Sequence, residues 1–163
     1  MSQKPAWYKG ARGEWYVVAQ GLLFCLAIFG PRGQGLLPKA GGGLGLGLRI
    51  AGALLGLAGA WLFAAAAFGL GSSLTALPKP KEGGQLVTTG AYGIVRHPIY
   101  AGILCLILGW ALWLQALLAL AWALLFFIFF DIKSRREEAW LKEKYEGYAA
   151  YQKKVKKLVP WVY

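Results

Sequence analysis

Histidine occurs once, cysteine twice and acidic residues seven times in 163 residues, against eighteen lysines and arginines. No His, Cys, Asp or Glu cluster stands at metal-ligand spacing, so a metal centre has no ligand set in this sequence. Cys25 and Cys105 each lie inside an apolar run, which excludes a disulfide framework and leaves two free thiols. Glycine is dense between residues 33 and 47, yet no strand precedes it and neither G-x-G-x-x-G nor Walker spacing is present. That stretch reads as a flexible loop running into a helix, not as a phosphate cradle. Charge is missing from the middle of every apolar run, with Arg49 near an end, which counts against a transport path and a non-enzymatic transporter.

What is present is apolar. Hydrophobic residues make up 58% of the chain, more than one water-soluble core of this size could hide, so the reading is an all-α integral membrane protein. The net charge of +11 would suggest nucleic acid if it were spread over a soluble domain, but the basic residues flank the apolar runs. Membrane topology explains them without a nucleic-acid partner. Lys4, Lys9 and Arg12 precede the first apolar stretch as in a signal peptide, but no small-x-small site follows Phe29. The stretch is expected to stay as a first transmembrane helix, 15–29, stopped at Gly30-Pro31-Arg32.

A second helix is expected over 50–70, with Gly52 and Gly56 as a G-x-x-x-G contact, and a polar loop over 72–84. From Ile99 to Phe130 the chain is apolar for 32 residues, broken only by Gln115. One helix of that length would run about 48 Å against a hydrocarbon core of about 30 Å, so a hairpin of two helices turning near Leu114-Gln115 is expected. Charge supports four spans: fifteen of the eighteen basic residues then share one side. By the positive-inside rule both termini and the site are cytoplasmic. The tail carries Glu138 and Lys142 at helical spacing and is expected to continue as a cytosolic amphipathic helix, with Lys153, Lys154, Lys156 and Lys157 as a basic anchor on headgroups. Two regions result, a membrane segment 1–84 and a core 85–163.

The hairpin returns Arg96-His97-Pro98 and Arg135-Arg136-Glu137-Glu138 to one face. A pocket mouth for a ligand with anionic and cationic groups and a headgroup-level ring of charges both fit this spacing. The segment Leu86-Val-Thr-Thr-Gly-Ala-Tyr-Gly-Ile-Val-Arg-His-Pro-Ile-Tyr-Ala-Gly102, followed by Arg136-Glu-Glu-Ala-Trp-Leu141, Tyr148, Tyr151 and Pro160, resembles the isoprenylcysteine carboxyl methyltransferase family and its phospholipid methyltransferase relatives. The resemblance implies an S-adenosylmethionine-dependent membrane methyltransferase whose lipophilic acceptor enters from the bilayer. It implies a cofactor pocket of Gln85, Leu86, Val87, Gly90, Tyr92, Val95, Arg96, His97, Pro98, Tyr100, Glu137 and Glu138, with Arg136 and Glu138 in the chemistry. The acceptor is expected to be an isoprenylcysteine-type carboxylate, which needs no strong base at neutral pH, with a phospholipid amine or a small thiol or phenol as alternatives. The ending Val159-Pro-Trp-Val-Tyr163 also resembles sterol reductases, which implies a nicotinamide cofactor instead. A gap between the second helix and the hairpin is the expected way in for the acceptor.

Overall fold

The computed structural model describes residues 10–31 and 39–163. Lys4, Lys9, Arg32 and residues 33–38 of the glycine-rich stretch lie outside the described residues. Within them every regular element is helical: α1 (Glu14–Phe29), α2 (Gly42–Leu70) with a following turn Gly71–Ser73, the short α3 (Ala91–Ile94), α4 (Pro98–Leu114), α5 (Leu117–Lys144) and α6 (Tyr148–Lys154).

Two of these, 42–73 and Leu117–Lys144, are long and apolar enough to cross a bilayer, while α1 and α4 are shorter apolar helices. On α2, Leu54, Leu57, Trp61 and Phe68 are all exposed. Large apolar side chains facing outward along a helix form a surface suited to lipid.

The hairpin forms where Gln115 was expected to turn it. Gln115 adopts a left-handed conformation, φ 52° and ψ 45°, its amide closes the end of α4 on Ala111 and Leu112, and α5 begins two residues later. Its side-chain amide donates to the Gly45 carbonyl at 3.2 Å, which ties the turn to the start of α2. Pro98 opens α4 at its first turn, where its missing N–H costs nothing and its fixed φ suits the helix.

α2 begins eight residues earlier than expected. Leu44 and Leu46 continue the apolar pattern on the outside of the helix, while Gly45 is buried and its carbonyl accepts from the Gln115 side chain. The expected Gly52–Gly56 contact is met and extended: a Cβ added at Gly109 would lie 2.6 Å from the Gly52 carbonyl oxygen and 2.9 Å from the Gly56 amide nitrogen. An added Cβ at Gly52 would lie 2.6 Å from the Gly109 carbonyl oxygen and one at Gly59 2.7 Å from that of Gly102, whereas at Gly56 it would meet nothing within 4 Å. Two glycines seven residues apart on each helix bring the backbones of α2 and α4 together. The expected gap between α2 and the hairpin is therefore closed.

This contact gives a direct test. Gly52→Ala should cost about 1–3 kcal/mol through overpacking, while Gly56→Ala should leave stability unchanged or slightly raised. Thermal unfolding in detergent checks this, and equal melting of the two variants would mean that the helices are not held by Gly52.

The backbone of α1, by contrast, approaches only α5 among the helices. The Phe24 ring packs at a tilt against Phe126, centroids 5.0 Å apart, in a cluster with Ile103 and Phe130. A seam is left between α1 and α2. The start of α1 meets the 74–84 loop, where Lys79 donates its amide to the Arg12 carbonyl at 3.3 Å. The beginning of α1, the end of α2, the beginning of α4 and the polar end of α5 thus gather at one end of the bundle.

The tail does not run along a surface as one amphipathic helix. α5 is unbroken to Lys144, the chain reverses at 145–147, and α6 folds back with Tyr148 and Tyr151 buried. Lys156 and Lys157 accept the backbone amides of Arg96 and His97 at 2.7 and 3.1 Å, and the Lys157 ammonium pairs with Asp131 at 2.7 Å. Lys157 therefore fastens the tail to the bundle and cannot serve as a free headgroup anchor.

Candidate active site

The loop before α4 carries the only histidine, and its local sequence explains how it is presented. Gly90, at φ 61°, bends the chain into α3, which drives Tyr92 against Ala66 and Val87. Val95 is fully buried beneath in extended backbone, and the amides of Arg96 and His97 that follow donate to the carbonyls of residues 156 and 157.

Arg96 and His97 meet on one carboxylate. Glu138 accepts from Arg96 Nε at 2.9 Å and lies 3.0 Å from His97 Nε2, and its other oxygen accepts from Gln152 at 2.7 Å. A carboxylate oxygen only accepts, so His97 Nε2 carries a hydrogen toward it. Arg96 also donates to the carbonyls of Gln152, at 3.2 Å, and of Val155. Tyr151 donates to the Tyr92 carbonyl at 2.5 Å and Tyr145 to that of Gly84 at 2.7 Å. The loop, α5 and the folded-back tail are thus sewn into one wall.

That wall closes a cavity of about 620 Å³, within the size range of small-molecule and cofactor sites. Gln85, Leu86, Val87, Tyr92, Arg96, His97, Pro98, Tyr100 and Glu137 all line it. Glu137 accepts the Tyr100 hydroxyl at 2.8 Å and stands 3.7 Å from His97 Nδ1. Tyr100 in turn stacks between His97 and Phe130, at 5.5 and 4.6 Å.

Four expected site residues lie elsewhere. Gly90 shapes the turn and Val95 packs under it, neither lining the cavity. Glu138 stands behind the wall and acts on the site through Arg96 and His97. Arg136, expected in the chemistry, is exposed with its guanidinium 4.6 Å over the Trp140 ring and outside the cavity. Helical spacing is the reason: Lys133, Glu137 and Leu141 share the inward stripe of α5, and residue 136 is turned about 100° away from Glu137.

Other lining residues were not expected from the sequence. These are Lys133 from α5 and Gln20 from α1, while Tyr145 and Tyr148 come from the tail, whose tyrosines the resemblance placed over the pocket. The Tyr148 hydroxyl is buried with no hydrogen-bond partner among the described residues. Burial, and then the charge of Glu138, pushes its phenol well above the ordinary value, so it remains an O–H donor. Burial and the charge of Glu137 act on Tyr92 in the same way. Gln20 had a readable signal, as the one polar side chain inside the first apolar run.

Residues 48–147 match the phospholipid methyltransferase family. The chain belongs to that family. The match spans α2 from residue 48 onward, the Arg96-His97 loop, α4 and all of α5, so the phospholipid methyltransferase region holds both halves of the Arg96–Glu138 junction. α1 and α6, with Gln20, Tyr148 and Tyr151, lie outside it. Membership makes the chain a methyltransferase of membranes, in keeping with its apolar helices, and it includes the isoprenylcysteine carboxyl methyltransferase relatives. Comparison with individual curated proteins gives no match.

Proposed function

We propose that the protein transfers a methyl group from S-adenosylmethionine to a lipophilic acceptor at the 620 Å³ cavity. The observation that carries this reading is one cavity with two unlike ends. Polar and aromatic groups from Gln85, Tyr92, His97, Tyr145 and Tyr148 gather at the loop end, and Phe24, Phe63 and Ile103 line the membrane end. The unpartnered Tyr148 hydroxyl fits an additional polar ligand there. Gln85, Tyr92, Arg96, His97, Tyr148 and Glu137 would hold the cofactor.

When bound, S-adenosylmethionine supplies a methyl on a positively charged sulfur, whose transfer to a carboxylate oxygen breaks C–S, forms C–O and leaves two neutral groups. The protein's part is to align that oxygen and keep water out. An isoprenylcysteine-type carboxylate is the acceptor that asks least of the site, because His97 is held by Glu138 and Glu137 already accepts from Tyr100. A phospholipid amine is the second reading, favoured by the family description and by Glu137 on the cavity wall as a proton acceptor. Four spans, with the site and both ends of the chain on the cytoplasmic face, are the reading that the positive-inside distribution of lysine and arginine supports. The seam between α1 and α2 is the way in for the acceptor.

Purified protein should bind S-adenosylhomocysteine and not NADPH by calorimetry, and should pass labelled methyl to a lipid extract or a prenyl thioether carboxylate. Binding of NADPH alone would replace this reading with the reductase one.

A further inference from the structure

Lys133 is the one lysine whose ammonium reaches the cavity wall from a nearly closed position: the residue is 2% exposed, three positions beyond the last apolar residue of the run, Phe130. Its Nζ donates to Gln20 Oε1 at 2.6 Å and lies 5.1 Å from the centre of the Tyr100 ring. Among the described residues no carboxylate comes within 4 Å of it; Glu137, one turn on, is turned to Tyr100 and His97. A lysine at a bilayer boundary ordinarily snorkels its charge to water. This one points inward instead, at the only polar side chain of the α1 interior. A buried ammonium without an anion is costly, and one neutral amide uses one of its three hydrogens.

The location defines what would complete it. Toward the loop lie the groups read above as holding the cofactor; toward the membrane the wall becomes Phe24, Phe63 and Ile103. Lys133 stands at the change from polar to apolar. From this geometry we infer that Lys133, positioned by Gln20, binds an anionic oxygen on the headgroup of the lipophilic acceptor, at or beside the atom that receives the methyl; this rests on the methyltransferase reading above. The anion is either the carboxylate that receives the methyl or the phosphate diester beside a receiving amine, and both present the same charged oxygen to the same ammonium. Gln20 lies outside the region shared with the family, so this half of the site belongs to α1.

The test compares two lipid pairs on the full-length protein in vesicles: a farnesyl thioether carboxylate against its methyl ester, and phosphatidylethanolamine against a dialkyl ethanolamine lacking the phosphate. The parent should prefer the anionic member of one pair by about 10- to 150-fold, the range of one charge-assisted hydrogen bond. The pair that discriminates names the source of the anion. Lys133→Met should abolish the preference, raising KM or Kd for the anionic lipid alone. Gln20→Glu, which gives Lys133 a carboxylate of its own, should abolish it too while keeping the lysine, and it serves if Lys133→Met fails to fold. Affinity for S-adenosylhomocysteine should stay within about twofold in both. A parent indifferent to charge in both pairs, or variants that keep its preference, would overturn the inference. A parent that binds no S-adenosylhomocysteine would instead overturn the methyltransferase reading on which it rests.

Discussion

Glu138→Ala should lower stability by about 3–5 kcal/mol and abolish S-adenosylhomocysteine binding along with it, because the substitution leaves the buried Arg96 guanidinium without its carboxylate. Arg96 is 9% exposed in its side chain and Glu138 8%, and the same carboxylate also carries His97 and Gln152. Its neighbour behaves differently. Glu137 is 24% exposed, lines the cavity and holds one tyrosine hydroxyl. Glu137→Ala should therefore melt close to the parent and weaken the cofactor by about 10- to 150-fold. Unfolding in detergent and calorimetry on both variants separate the two roles. If Glu138→Ala keeps the parent's melting temperature, Arg96 is not held as described; if Glu137→Ala keeps its affinity, the inward stripe of α5 is not part of the cofactor site.

The pair shows where sequence reading succeeds and where it stops. The resemblance named both adjacent glutamates after the apolar run, and they lie on the turn of α5 that faces the Arg96-His97 loop. Which of them faces the cavity is a matter of helical phase set by packing, and a 100° step per residue separates a ligand from a tie. Arg136 was misplaced for the same reason. The hairpin was legible because 32 apolar residues with one interruption admit few arrangements. Glycine spacing was legible in part: the Gly52–Gly56 pair meets Gly109 as its spacing suggested, whereas the second contact, Gly59 on Gly102, depends on where the facing helix places its own glycines. The tail misled through its composition. Lysines and aromatics near a membrane read as an anchor, whereas the pairing of 156 and 157 with 96 and 97 is a long-range contact that no local pattern announces.

Closing the α2–α4 face moves the acceptor's path to the other side of the bundle and gives it a length. Phe24 lines the large cavity and also a second groove of about 280 Å³, which continues along Ala27 and Ile28 of α1, Leu106, Ile107 and Trp110 of α4, and Trp122 of α5. An acceptor whose headgroup sits near Tyr100 can lay its tail past Phe24 toward Trp122. Each methylene buried there should raise kcat/KM by up to about 0.8 kcal/mol, roughly fourfold, until the groove is full. Ala27→Trp would fill the groove and shorten that ruler. For acceptors differing by four methylenes beyond Phe24, the parent should discriminate by up to about 3 kcal/mol, or roughly 200-fold, and the variant hardly at all, with short acceptors turned over as before. Rates are compared at fixed acceptor concentration within the vesicle, so that partitioning cancels. A parent whose rates do not depend on chain length, or an Ala27→Trp variant that still favours the long chain, would show that the tail remains in the bilayer and that only the headgroup enters the protein.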